Sequence, residues 1–241
     1  MDARSLGFSS LIQQTDKASK ADREFLLKAL KEDGQLLEHA ATALQADREV
    51  VLMAVKAFGR ALQYATELLQ ADREIVLAAV KQDSRAFEYA HKDLKADRDV
   101  VLAAVKQDGY VLEDVHNSLK ADPEVVLEAM KQNGGAFRAA AMSLKADREF
   151  MLEVVKIHGW ALQYAAEPLQ ADREIVLAAV KRNGAISARA PIQTWLLKHA
   201  PKSIKSDREI VFAAVKEDPW ALYESSEVLQ QDEELRKIAG L

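Results

Sequence analysis

The stretch LQADREIVLAAVK stands at 69–81 and again, unchanged, at 169–181. The identity belongs to a wider pattern. Aspartates recur at a constant interval, at Asp22, Asp47, Asp72, Asp97, Asp122, Asp147 and Asp172, and then, at the same interval from each other, at Asp207 and Asp232. The segment 58–81 also matches 158–181 at 20 of 24 positions, as expected if a block of four repeats was duplicated whole. An internal period decides the fold class before any single motif does, and it explains the identical strings without catalysis.

Each repeat carries the punctuation of a helix. An N-cap aspartate accepts hydrogen bonds from the free amides of the first turn, worth about 1 kcal/mol. The acidic residue two positions later suits the positive helix end, and a lysine nine positions after the aspartate, as in Lys56, Lys81 and Lys106, suits the negative end. A glycine at twelve, as in Gly34, Gly59 and Gly109, is expected to supply a left-handed stop. The β-branched run raises a competing reading, a leucine-rich α/β horseshoe. Position six decides against it. Lys28, Glu128 and Glu153 stand there, while the residues two places to either side, such as Val126 and Met130, are apolar. A strand would put all three on one face.

The second half of a repeat, such as ALQYATELLQA at 61–71, is apolar at 14, 15, 18 and 22 after the aspartate, again a helical spacing. Two helices of about ten residues follow, each roughly 15 Å long and too short to stand alone, so each must bury its apolar face on its neighbours. The expected fold is all-α, an α-solenoid of tandem two-helix repeats with a period of 25 residues. Residues 1–21 read as an N-terminal half-repeat cap. Residues 22–231 hold eight helical-pair repeats with a ten-residue insertion at 185–194 in repeat seven, and 232–241 read as a truncated C-terminal helix or cap. A piece cut from a longer array would read the same way.

The repeated pattern Ala-Asp-Arg-Glu-Ile-Val-Leu-Ala-Ala-Val-Lys, closed by Ala-Leu-x-Tyr-Ala and Leu-Gln-Ala-Asp, resembles the family catalogued as domain of unknown function 4116, over about Asp22 to Leu229. The resemblance implies tandem helical units, roughly two to a family domain, and carries no functional residue with it. The sequence departs from that pattern at Ser84 and Pro219, which take the glycine position, at Pro123, and at the insertion.

Composition bounds the function. With 49% hydrophobic and 29% charged residues the chain reads as a folded, soluble protein, and its net charge of -5 opposes binding to a phosphate backbone as a whole. It has no cysteine, hence no disulfide or thiolate metal site. Its apolar runs of about six residues fall far short of the roughly 20 that cross a bilayer, so no membrane insertion is expected. The opening MDARSLGFSSLIQQTDK lacks the apolar core of a secretory signal. The compartment reads as cytoplasmic by default, or an organelle interior after processing.

Three features suggest where function sits. The insertion AISARAPIQT falls in the turn between the two helices of its repeat, where solenoids place binding loops. Around it Lys181, Arg182, Arg189, Lys198, Lys202, Lys205 and Arg208 face only Asp207, a basic segment on an acidic chain that suits an acidic partner. Trp160, Trp195 and Trp220 occupy one position, thirteen after the aspartate, in successive repeats. On a continuous helix that position shares a stripe with seventeen and twenty, giving Trp160, Tyr164 and Glu167, then Trp195, His199 and Lys202, then Trp220, Glu224 and Glu227.

The expected partner-binding residues are therefore Trp160, Tyr164, Arg182, Arg189, Trp195, Lys198, His199, Lys202 and Trp220. The expected function is a non-enzymatic repeat scaffold that binds another protein, an acidic one by its charge, through the C-terminal third. The alternative is a helical repeat that stacks single-stranded nucleic acid on the aromatic positions. An enzyme has the least support, because no phosphate loop, nucleophile elbow or H-E-x-x-H is present. His39 and His199 share one register and His91 and His116 another, but neighbouring repeats lie about 10 Å apart, too far for one metal ion. No cofactor and no metal are expected.

Overall fold

The repeat unit is visible in its first helix. In repeat two this is Arg48–Ala57, where the Asp47 carboxylate accepts the amides of Glu49 and Val50 at 3.0 and 3.1 Å. Val50, Val51, Ala54 and Val55 are fully buried, a spacing that only a helix places on one side. The computed structural model describes residues 20–182 and 192–241 and repeats this arrangement along them. All but the last two residues of the half-repeat expected at 1–21, and most of the insertion, Arg189 included, lie outside the described residues. Among those residues every regular element is an α-helix or a 3-10 helix, so the fold is the all-α repeat solenoid read from the period.

The aspartate has a second task that capping alone does not reveal. The arginine at the start of each helix reaches the aspartate of the next repeat and, with its other nitrogen, the acidic residue two positions beyond. Arg23 bridges Asp47 and Glu49, Arg48 bridges Asp72 and Glu74, Arg73 bridges Asp97 and Asp99, and Arg98 bridges Asp122 and Glu124. The series resumes with Arg148 on Asp172 and Glu174, Arg173 on Asp207 and Glu209, and Arg208 on Asp232 and Glu234. In all seven the Nε to Oδ2 distance is 2.6 to 3.0 Å. The guanidinium holds the Asp47, Asp72 and Asp172 carboxyls below the usual carboxylate range, against the opposing effect of burial. The Arg173 step spans the insertion at 2.6 Å, so the added residues leave the register of the repeats intact.

The second half of the repeat corrects the expectation of one continuous helix. In repeat two it is a 3-10 helix, Gly59–Tyr64, then an extended Ala65 (φ -73°, ψ 153°), then a single α-turn, Glu67–Gln70. The expected apolar positions are still the buried ones: Ala61, Leu62, Ala65 and Leu69 are at most 7% exposed. What the spacing does not show is the break, which frees a backbone amide to bond the preceding repeat. Thr66 N donates to Gln45 O at 3.3 Å, His91 N to Gln70 O at 2.9 Å, and Ser226 N to Lys205 O at 2.9 Å. The carbonyls left open at the end of the 3-10 helix are met by the side chain that precedes each Ala-Asp. Gln70 Nε2 donates to Leu62 O at 3.1 Å, and Lys95 Nζ does the same for Glu88 O at 2.9 Å. This is how the broken segment leaves few backbone groups without partners.

The glycines also act differently from the expectation. Among the described residues only Gly240 has a positive φ, so none of the others provides a left-handed stop. At Gly59 a Cβ would fall well inside contact distance of the Ala79 carbonyl oxygen, and at Gly109 the same holds for Ala129. Glycine is required there because the 3-10 helix starts against the main chain of the next repeat.

The chain divides into two compact bodies, 1–139 and 140–241. The first described helix of the former is Lys20–Ala29, and the last of the latter is Glu233–Ile238, in the segment read as a truncated helix. No described helix is long and apolar enough to cross a membrane.

Candidate functional site

Of the candidate residues, Trp160 and Tyr164 lie on the 3-10 helix Gly159–Tyr164, Trp195, Lys198 and His199 on the α-helix Ile192–His199, and Trp220 on the 3-10 helix Pro219–Glu224, while Arg182 follows the helix Arg173–Lys181 and Lys202 begins the helix Lys202–Lys205. The helices Gly159–Tyr164, Ile192–His199 and Pro219–Glu224 pack side by side in that order. Trp160, Trp195 and Trp220 therefore stand on adjacent elements at one register position.

Their surroundings differ. Trp160 is half-buried, edge-on to Tyr164 at 6.1 Å between ring centroids and tilted against His158 at 5.7 Å. Tyr164 is itself covered by the Lys145 ammonium, 5.9 Å from its ring centre. Trp195 is half-buried, lies 4.7 Å from the His199 ring, and forms one wall of a shallow cleft with Leu162, Val176, Leu196 and Ala200. Trp220 is 70% exposed and stacks on Tyr223, itself 53% exposed, at 5.8 Å and 30°.

The expected stripe at 13, 17 and 20 thus survives only in part. Repeat seven is α-helical at this point, and Trp195 meets His199 four residues on, as an α-helix requires. Repeats six and eight are both 3-10 here, yet Trp160 still meets Tyr164 four residues on, whereas Trp220 meets Tyr223, the ring three residues on, rather than Glu224. Tyr223 is the residue that the sequence reading missed; the second aromatic ring within PWALYE is the signal that points to it.

The basic segment is largely consumed by the fold. Lys181 pairs with Glu209, Arg182 Nε donates to Ile157 O at 3.1 Å, Lys205 Nζ to Lys198 O at 3.0 Å, and Arg208 holds Asp232 and Glu234. Lys198 and Lys202 are exposed, and among the described residues neither makes an ion pair. Of the insertion, Ile192 to Thr194 begin a helix. Gln193 is 5% exposed, and the Thr194 hydroxyl donates to the buried Asp218 carboxylate. That end of the insertion is therefore structure. The histidines find local partners, His91 Nδ1 with Asp93 and His116 Nδ1 with the Ser118 hydroxyl, and no group of three potential metal ligands exists among the described residues.

A family model described as domain of unknown function, DUF4116, matches residues 47–95, 97–145, 147–191 and 192–236. The chain belongs to the DUF4116 family. Each of the first two matches takes in two successive aspartate-led turns, so the DUF4116 repeat has a period of about 50 rather than 25 residues. The third and fourth matches meet at 191/192, inside repeat seven, where the insertion gives way to the helix that carries Trp195. No curated protein and no solved structure matches the chain. The Asp-Arg-Glu string that marks most of the DUF4116 turns is accounted for by the capping and bridging it performs, and the tryptophans take no part in either task.

Proposed function

We propose that this DUF4116 chain is a non-enzymatic repeat scaffold that binds another protein through the second-half elements of repeats six to eight. The observation that supports it is the stacked pair Trp220 and Tyr223, 70% and 53% exposed. Large aromatic rings held rigid and open to solvent are the side chains that most often anchor protein interfaces. Lys198 and Lys202 on the neighbouring repeat supply attraction for acidic groups.

A nucleic-acid strand is the second reading, favoured by aromatic rings on adjacent elements. It is opposed by the acidic neighbours of Trp220, namely Glu217, Glu224 and Glu227. The test is a pull-down from the native source, with and without nuclease, using wild type and the Trp220→Ala/Lys198→Glu variant. A protein that persists through nuclease and is lost with the variant supports the scaffold. Recovery of nucleic acid, or a partner list untouched by the variant, overturns it.

A further inference from the structure

Beside the tryptophans, the second-half elements of repeats seven and eight carry side chains of opposite charge that do not neutralise each other. On repeat seven Lys198 and Lys202 stand at sixteen and twenty, counted from the aspartate with the insertion set aside. On repeat eight Glu224 and Glu227 stand at seventeen and twenty after Asp207. The two repeats are in direct contact, through the helix Ile192–His199 against Pro219–Glu224 and through the bond from Ser226 N to Lys205 O. Yet among the described residues no ion pair joins Lys198 or Lys202 to Glu224 or Glu227. The rows stand on adjacent elements about 10 Å apart, and their charges stay separate.

A surface with a positive row beside a negative row is complementary to itself. Turning a second copy about a two-fold axis that runs along these helices, between the two rows, sets repeat seven of one copy over repeat eight of the other. Position twenty then faces position twenty. Lys202 of each copy meets Glu227 of the other, and Lys198 and Glu224 come together in the same reciprocal way. The exposed Trp220 of each copy then faces the half-buried Trp195 of the other at one end of the charged rows, with Tyr223 beside it. This is the isologous arrangement that two-fold dimers require, in which each contact occurs twice.

We propose that this face binds a second copy of the chain, forming a two-fold dimer with reciprocal Lys202 to Glu227 pairs beside an aromatic contact. The inference rests on the reading of this face as a protein-binding one and names an occupant for it. An acidic row on repeat eight would repel a uniformly acidic partner, whereas an identical copy satisfies both rows.

The test is sedimentation velocity of the purified full chain at low salt, from about 1 to about 100 μM, the range in which an interface of modest size dissociates. Wild type is expected to dimerise. Lys202→Glu places two like-charged contacts in each dimer and is expected to weaken it by roughly tenfold or more. The charge swap Lys202→Glu/Glu227→Lys is expected to restore it. Should Lys202→Glu alone fail to fold, Glu227→Lys breaks the same pairs from the other side.

A monomer throughout the range overturns the inference, as does a dimer indifferent to the single reversals, or one that the swap does not restore. Purified chain alone is present, so none of these outcomes bears on capture of a different protein. Loss of that capture leaves the dimer standing.

Discussion

Arg48 Nε donates to Oδ2 of Asp72 at 2.8 Å, while Oδ1 of the same carboxylate accepts the amides of Glu74 and Ile75 at 3.0 and 3.2 Å. One aspartate therefore starts its own helix and holds the repeat before it. The constancy of this residue along the chain follows from that double duty.

Removing the two tasks separately should give different costs. Asp72→Asn keeps a capping oxygen but no charge, and Asp72→Ala loses both. The alanine variant is expected to lose about 1 kcal/mol more than the asparagine one. In an Arg48→Ala background the cost of Asp72→Asn should nearly vanish, which urea unfolding of the double-mutant cycle would measure.

Acid should release the ladder. Asp47, Asp72 and Asp172 have folded pKa values below their unfolded ones, so the stabilisation is present above the unfolded value of about 4 and is lost as pH falls through the lowered folded values. The urea midpoint is expected to be flat from pH 7 to about 5 and to drop below about 4. Arg48→Ala should make that drop shallower. A midpoint unchanged down to about pH 3 would contradict the ladder.

Gly59→Ala should cost roughly 1 to 3 kcal/mol, because the added methyl meets the Ala79 carbonyl and forces a backbone shift. Gly135→Ala should cost less, since its nearest neighbours, Asn133 Oδ1 at 3.0 Å and the Tyr110 hydroxyl at 3.2 Å, belong to side chains that can turn aside. Thermal melts of the two variants provide the comparison.

The buried and exposed parts of the second half should respond in opposite ways. Leu62→Ala empties a fully buried position and is expected to cost about 2 to 5 kcal/mol. Trp220→Ala, at 70% exposure, should stay within about 0.5 kcal/mol of wild type. Urea midpoints of the two variants beside wild type make the comparison.

The first helix was legible because its signals are local. Asp47 caps, Lys56 closes, and the apolar pairs at Val50, Val51, Ala54 and Val55 fit one period. The break at Ala65 was not legible, because Leu62, Ala65 and Leu69 keep their spacing on a straight helix and on a bent one alike. It is set by a bond from the Thr66 amide to the Gln45 carbonyl of the preceding repeat. The arginine bridges were hidden for the same reason, since Arg48 finds Asp72 and Glu74 only when the next repeat is in place. Of the site, the register of Trp160, Trp195 and Trp220 could be read from the repeat. The exposure of Trp220 and its stacking on Tyr223 were not legible, because the spacing of apolar residues reads as one α-helix while this segment is 3-10.

Framework and face are separable in a single measurement. Wild type, Arg48→Ala and Trp220→Ala, melted and used as bait in parallel from the same preparations, report stability and partner capture for each. The account predicts that Arg48→Ala melts lower and still captures the partner, while Trp220→Ala melts with wild type and loses it. Capture that follows melting temperature in both variants, or that survives Trp220→Ala, would contradict a binding face distinct from the repeat framework.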